Sequence, residues 1–327
     1  MLALVTLFGL SLIIFYLSRV LPANPGRLAL GPSATQAQVA FYDKQLGLDR
    51  PLYEQYFYWL WNFLHGQWGQ SLTTHENVLH DVELHFPATF ELITISIILT
   101  ALVGIPLGVY AAARRGKHIS GLVRLLWIIG IAIPPFTVGL GLQVILGYGL
   151  KYKDIIGQLS GPAPVHITGM YFFDAILSLN WSALADASQH LFLPEIALSL
   201  AGIGQIAQLT YSGMLDQTQE DYYLSIKAYG APILASDFKY ALRSALIPVL
   251  TVLGLLYASL IANAFLVEEV FSWGGLSAYA VTAMQSDDFN AIVATVLIIG
   301  IFYVVLNLVI DLGLGFVDPR IRLGESQ

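Results

Sequence analysis

Long apolar runs alternate with short polar connections along this chain. A helix that crosses a bilayer needs about 20 mainly apolar residues at roughly 1.5 Å rise each. Six runs meet that requirement: 2–20, 88–113, 123–149, 192–215, 245–267 and 291–316. The run 52–64, L-Y-E-Q-Y-F-Y-W-L-W-N-F-L, does not, because its unbroken apolar part is too short. Its Tyr and Trp content suits the membrane–water interface, and the pattern predicts a helix lying flat there.

One stretch breaks the apolar rhythm, D-Q-T-Q-E-D-Y-Y-L-S-I-K-A-Y-G-A-P-I-L-A-S-D-F-K-Y-A-L-R-S over 216–244. It reads as two short amphipathic helices around a Gly-Ala-Pro turn. The first is predicted over Gln219–Tyr229, with Glu220 and Asp221 near its start, where they complement the helix dipole. Tyr222, Ile226 and Tyr229 fall at i, i+4 and i+7 and form one apolar stripe. Gly230 sits where a C-terminal cap belongs, and Pro232 follows as a stop signal. Ser236 or Asp237 can cap the second helix, which turns Phe238, Ala241, Leu242 and Ala245 inward and Lys239 and Arg243 outward. Pro248 comes about a turn into the next span. Helices of roughly ten residues are marginal alone in water. These two need a surface, either the bundle or another protein.

Composition agrees with a polytopic membrane protein. Of 327 residues 56% are hydrophobic and 11% charged, and the mean hydropathy is +0.68; a soluble domain carries about a quarter charged. The chain has no cysteine, which excludes a disulfide framework and Cys-based metal or redox sites. The first run has no basic residues ahead of it, so it reads as a retained helix and not a cleaved signal peptide.

The distribution of basic residues sets an orientation. Connections 113–120, 216–244 and the tail from 317 hold Arg114, Arg115, Lys117, Lys227, Lys239, Arg243, Arg320 and Arg322, eight in 48 residues. The alternate connections 22–86, 150–191 and 268–289 hold Arg27, Lys44, Arg50, Lys151 and Lys153, five in 129. The positive-inside rule puts the first set, both termini and the 216–244 island in the cytoplasm. The long loops face out.

Several chemistries are absent from the sequence. There is no G-x-x-x-x-G-K-[ST] phosphate loop, no G-x-S-x-G elbow and no H-E-x-x-H. His65, His75, His80 and His85 tempt a metal reading, but steps of five do not stack ligands on one helical face as i, i+4 spacing does, and a solvated loop accounts for them. Asp311 lies inside a span near its cytoplasmic end, where an ion pair with Arg320 or Arg322 would offset its cost. Gln205, Gln208, Thr251 and Asn263 are polar positions within spans, where such side chains commonly bridge helices.

The segment E-D-Y-Y-L-S-I-K-A-Y-G-A-P…F-K-Y-A-L-R-S-A-L-I-P-V-L-T resembles the coupling loop of ABC-importer permeases, in the form found in B-type subunits of the dipeptide/oligopeptide/nickel importer family. Gly230 matches the motif glycine, Asp221 and Tyr222 its opening pair, Ala228 an alanine before the glycine, and Ala241, Leu242, Arg243, Ala245, Leu246, Ile247 and Pro248 its closing segment. Ile226 stands where the family favours alanine and Tyr229 where it favours lysine. Five further stretches are similar in the family's order: 30–56 with 66–72, 86–92, 191–198, 267–277 and 307–322. Among them Glu195 replaces a usual small residue, Gly274 a usual proline and Ser277 a usual glycine.

The resemblance implies an all-α polytopic fold of six transmembrane helices, the type I ABC importer permease fold. Residues 1–86 would form the first span plus a long external loop with an interfacial helix. Residues 87–327 would form a five-helix permease core carrying coupling loop 216–244. It implies a non-catalytic permease subunit in the prokaryotic inner membrane, forming half of a pathway for di- or oligopeptides. Partners would be a second homologous permease, two cytoplasmic ATPases that bind the ATP, an extracytoplasmic substrate-binding protein and membrane lipid, with no cofactor or metal of its own and no nucleic acid. The residues implied to contact the ATPase are Asp221, Tyr222, Ile226, Ala228, Gly230, Ala241 and Arg243. A nickel or other small-solute permease of the same family is the alternative cargo class. An ion-coupled secondary transporter would instead require buried ionisable residues at mid-membrane and inverted repeats. A scaffold or receptor without transport would need no mechanical link between the island and the spans.

Overall fold

The computed structural model describes residues 2–19, 34–45, 50–114, 118–149, 156–230, 232 and 240–317. Among the described residues the regular structure is helical, with one isolated antiparallel bridge between Gln70 and Asn77. The helices are α1 Leu2–Arg19, α2 Gln36–Gln45, α3 Leu52–Leu64, α4 Val78–Ala113, α5 His118–Ala132, α6 Pro135–Leu142, α7 Tyr171–Leu177, α8 Trp181–Gln217, α9 Asp221–Ala228, α10 Leu242–Phe271, α11 Leu276–Gln285 and α12 Phe289–Val317. A π-helical stretch over Gln143–Gly149 continues α6.

Four of these helices are long and apolar enough to cross a membrane: α4, α8, α10 and α12. They contain the predicted runs 88–113, 192–215, 245–267 and 291–316, and each extends beyond them at one or both ends. The run at 2–20 forms α1, an 18-residue helix. The run 123–149 is not one helix. It breaks at Ile133–Pro134 between α5 and α6, because Pro134 and Pro135 lack amide hydrogens and a proline ring clashes with the preceding turn. Pro135 then serves at the first turn of α6. Average hydropathy does not register such a break, since the residues around the two prolines keep the run apolar.

The chain divides into two units, residues 1–89 with 274–305 and residues 90–273 with 306–327. In the first, α1 meets α3 through aromatic side chains. Phe8 and Phe15 present edges to the Tyr56 ring at 6.1 and 5.4 Å, and Tyr56 Oη shares a 2.8 Å hydrogen bond with Ser11 Oγ. The predicted helix 52–64 is present as α3. Val78, Val82, Leu276, Tyr279, Ala283, Ala291 and Ala294 form the core of this unit. Its outer turn, residues 69–77, is tied to the start of α12: Asp288 Oδ2 accepts the Ser71 hydroxyl at 2.6 Å and the Leu72 amide at 2.7 Å, and Asn290 donates to the Gln70 carbonyl.

In the second unit α8 is the hub, packing on α5, α6, α7 and α10. Small residues set the spacing. A Cβ on Gly108 would lie 2.5 Å from the Ala207 carbonyl oxygen, so α4 and α8 come together backbone to backbone there. Ile206, Val249 and Leu253 close the centre, with Ile97, Ala101 and Ile105 against them. Helices α8 and α10 run through Pro194 and Pro248 without ending. The side chain of Asp311 and residues 318–327 lie outside the described residues, and with them the predicted pair to Arg320 or Arg322.

Candidate functional site

The island 216–244 begins as predicted. Helix α9 covers Asp221–Ala228, one to two residues shorter at each end than the 219–229 expectation. Asp221 lies in its first turn. Gly230 follows with φ +83°, the left-handed cap conformation that side chains other than glycine resist. Among the described residues nothing lies within 4 Å of where its Cβ would be, so it is the backbone geometry that favours glycine there. Residues 231 and 233–239, most of the second predicted helix, lie outside the described residues.

The residue that seats α9 is Tyr223. It is buried against Val109, Ala112, Met214, Ala241 and Ala245, and the Lys227 ammonium lies 5.7 Å from its ring centre. The small residues Ala241 and Ala245 leave the space that its ring fills. Their inward placement matches the expectation, and Arg243 points out. Of the seven positions that the resemblance implies for an ATPase contact, Ala241 is therefore fully covered by the bundle. Ile226 is half-buried, whereas Asp221, Tyr222, Ala228, Gly230 and Arg243 are exposed.

Tyr223 anchoring turns the predicted apolar stripe outward. Tyr222 and Leu224 are exposed and Tyr229 is 93% exposed. The Tyr222 hydroxyl donates to Gln217 Oε1 at 2.7 Å, which fixes its ring beside the end of α8. Sequence spacing grouped Tyr222 with Ile226 and Tyr229 but did not reveal which face was anchored. The Tyr223–Ile226 step of three was the available signal.

A second constellation lies in the strap between α6 and α8, at residues 156–180. The Glu91 carboxylate of α4 accepts the Phe172 and Phe173 amides at 2.8 and 3.2 Å, capping α7 from another helix. Asp174, fully buried, gathers the Ile167, Thr168 and Gly169 amides and the Thr168 hydroxyl. Burial alone would raise its pKa, but the Thr168 hydroxyl and the three amides outweigh that and hold it below the usual carboxylate range. Gly157 donates to the Phe271 carbonyl and Gln158 to that of Trp273, so the strap is pinned to the end of α10. Glu195 of α8 accepts from Ser96 of α4. Of these, Glu195 stands out in the sequence, where the family has a small residue, but Asp174 does not.

The four histidines do not converge. His65 packs at a tilt against Trp61 and His85 stacks on Tyr279, and among the described residues no three His, Cys, Asp or Glu side chains gather as metal ligands do.

Residues 104–323 match the family described as binding-protein-dependent transport system inner membrane component, and residues 1–93 match the N-terminal family of the same membrane components. The chain belongs to this permease family. A probable D,D-dipeptide transport system permease protein of Escherichia coli is 39% identical, over 98% of this chain and 94% of its own length. A di/tripeptide transport system permease protein of Pseudomonas aeruginosa is 35% identical, over 97% and 95%. A glutathione transport system permease protein of Salmonella typhimurium is 30% identical, over 97% and 95%. The permease is thus a membrane-spanning component of an ABC import system, and the resemblance drawn from the coupling loop holds along nearly the whole chain.

Proposed function

We propose that this permease forms half of the translocation path of an ATP-driven importer of short peptides. Near-full-length kinship with permeases named for D,D-dipeptides and di/tripeptides carries the cargo reading. A homologous second permease completes the path, two ATPases on the cytoplasmic side drive it, and an external binding protein delivers cargo. Six spans, with α5, α6 and the π-helical stretch counted as one broken span, place both termini in the cytoplasm, as the distribution of basic residues favours.

The ATPase contact is the exposed side of α9 and its turn: Asp221, Tyr222, Ile226, Ala228, Gly230 and the adjoining Arg243. Ala241 acts behind them by seating Tyr223. The support is mechanical. A helix fixed to α4, α8 and the start of α10 through one buried ring, and exposing Tyr222, Leu224 and Tyr229, can pass a push to three membrane helices at once.

The test is purification of the chain with its cellular partners in mild detergent. An ATPase should co-purify, and vesicles holding the assembly should take up dipeptides with ATP. If no ATPase accompanies it, and replacing Gly230 with a bulky residue leaves uptake intact, the reading is wrong.

A further inference from the structure

Past its exposed apolar residues Trp181 and Phe192, helix α8 is inside out for a membrane helix. From Leu193 to Gln217 its exposed residues are Gln205, Gln208, Ser212 and Asp216, and all are polar. Steps of three, four and four place them on a single face. The other side of the same stretch is buried against the bundle, with Leu198, Ile206, Ala207 and Met214 covered. Helix α12 shows the opposite pattern, exposing Val296, Tyr303, Val305, Leu308, Val309 and Leu312. Hydrocarbon can cover the face of α12. It cannot cover two carboxamides, because an unpartnered amide in an apolar medium costs several kcal/mol.

The Ser212 hydroxyl is satisfied within the helix, by the Gln208 and Leu209 carbonyls. Gln205 and Gln208 differ. Among the described residues neither carboxamide has a hydrogen-bond partner. Each presents a carbonyl acceptor and an NH2 donor, the complement of a peptide group's own N–H and C=O. Side chains of that chemistry grip a backbone without regard to the residues it carries.

We propose that this face of α8 lines the aqueous path, and that Gln205 and Gln208 hydrogen-bond the backbone amides of peptide cargo in transit. The proposal rests on the peptide-permease reading and adds to it the surface that reads the cargo. Asp216, at the end of the same face, offers a carboxylate for the terminal ammonium of a peptide.

The chain contains no cysteine, so each variant carries a single thiol in this subunit, and the unaltered assembly reports any reaction of the partners. Gln205→Cys and Gln208→Cys are placed in the assembled transporter in vesicles and treated with a small charged methanethiosulfonate. Both should react, reaction should slow severalfold in excess dipeptide, and the modified transporter should lose uptake. The controls are Ile206→Cys, at a buried position, and Leu308→Cys, on an exposed apolar face. Both should resist the charged reagent and keep uptake. A Gln205→Leu, Gln208→Leu pair should lower uptake of peptides of differing side chains by similar factors, with Asn at each position restoring part of it. Failure of the glutamine positions to react would mean that the partner subunit covers this face. Reaction without cargo protection would mean water without cargo. Either result overturns the proposal. If the unaltered transporter takes up no dipeptide at all, the peptide-permease reading falls instead.

Discussion

Asp288 and Ser71, 217 residues apart in sequence, meet in a 2.6 Å hydrogen bond with both side chains buried. The same carboxylate also receives the Leu72 amide, and its other oxygen receives the Ala291 amide at the start of α12. One side chain thus caps a helix and anchors the 69–77 turn. Asp288→Ala leaves those donors buried without an acceptor, at about 1–3 kcal/mol for each unsatisfied group. The variant should melt earlier than the parent and be cleaved by added protease within 69–77. Asp288→Asn, which keeps one acceptor oxygen, should fall between them.

Gly230 separates strain from crowding. Its φ of +83° penalises any side chain, yet an added Cβ meets nothing within 4 Å among the described residues. Gly230→Val should therefore cost on the order of 1–2 kcal/mol, the price of the left-handed conformation, and Gly230→Asn distinctly less. Uptake and ATPase stimulation should follow the same order, Gly above Asn above Val. Equal loss with Asn and Val would mean that side-chain volume at the partner surface decides instead.

Neighbouring tyrosines on α9 should behave oppositely. Tyr223→Ala empties a buried site, a class of change that costs about 3–5 kcal/mol for large aromatics, and should lower thermal stability. Tyr222→Ala and Tyr229→Ala remove exposed rings and should leave the melting temperature near that of the parent. The latter pair should instead weaken co-purification of the ATPase. The measurement is melting of the isolated permease set beside recovery of its partner.

How far the sequence foretold this structure depends on which physics each element obeys. Apolar length alone located α4, α8, α10 and α12, because a spanning helix needs little else. Gly230 was legible because a cap needs a residue that tolerates positive φ. The break before Pro135 was not, since average hydropathy over 123–149 is set by the apolar residues around the two prolines. Tyr223 was hidden because its partners Ala112, Met214 and Ala245 come from three other helices, and no local period records which of two adjacent tyrosines faces them. Asp174 was missed for a similar reason. Its role is to collect amides of a turn five to seven residues away, a pattern with no helical period.

The Asp174 turn should show an acid limit. Its pKa is depressed in the folded protein, so its stabilisation is complete above the unfolded value near 3.9. It is lost as pH falls through the lower folded value. Asp174→Asn cannot accept all four hydrogen bonds and should be less stable at neutral pH. The melting-temperature gap between parent and variant should stay constant from neutral pH down to about 4 and narrow below it. A gap that changed between pH 5 and 7 would point to a different group.

Helix contact in the second unit depends on the absence of a single methyl group. At Gly108 a Cβ would sit 2.5 Å from the Ala207 carbonyl oxygen and 2.6 Å from Thr210 Cβ, atoms of a helix backbone and a buried residue that have little freedom to retreat. Gly108→Ala should push α4 from α8 and cost about 1–3 kcal/mol, as overpacking does. Gly141 of α6 meets nothing within 4 Å, and there alanine gains helix propensity without a clash. Gly141→Ala should therefore match or exceed the parent in thermal stability while Gly108→Ala falls below it. Because α8 also carries Gln205 and Gln208, displacing it at Gly108 should reduce dipeptide uptake more than ATPase co-purification, which depends on α9 and its exposed rings.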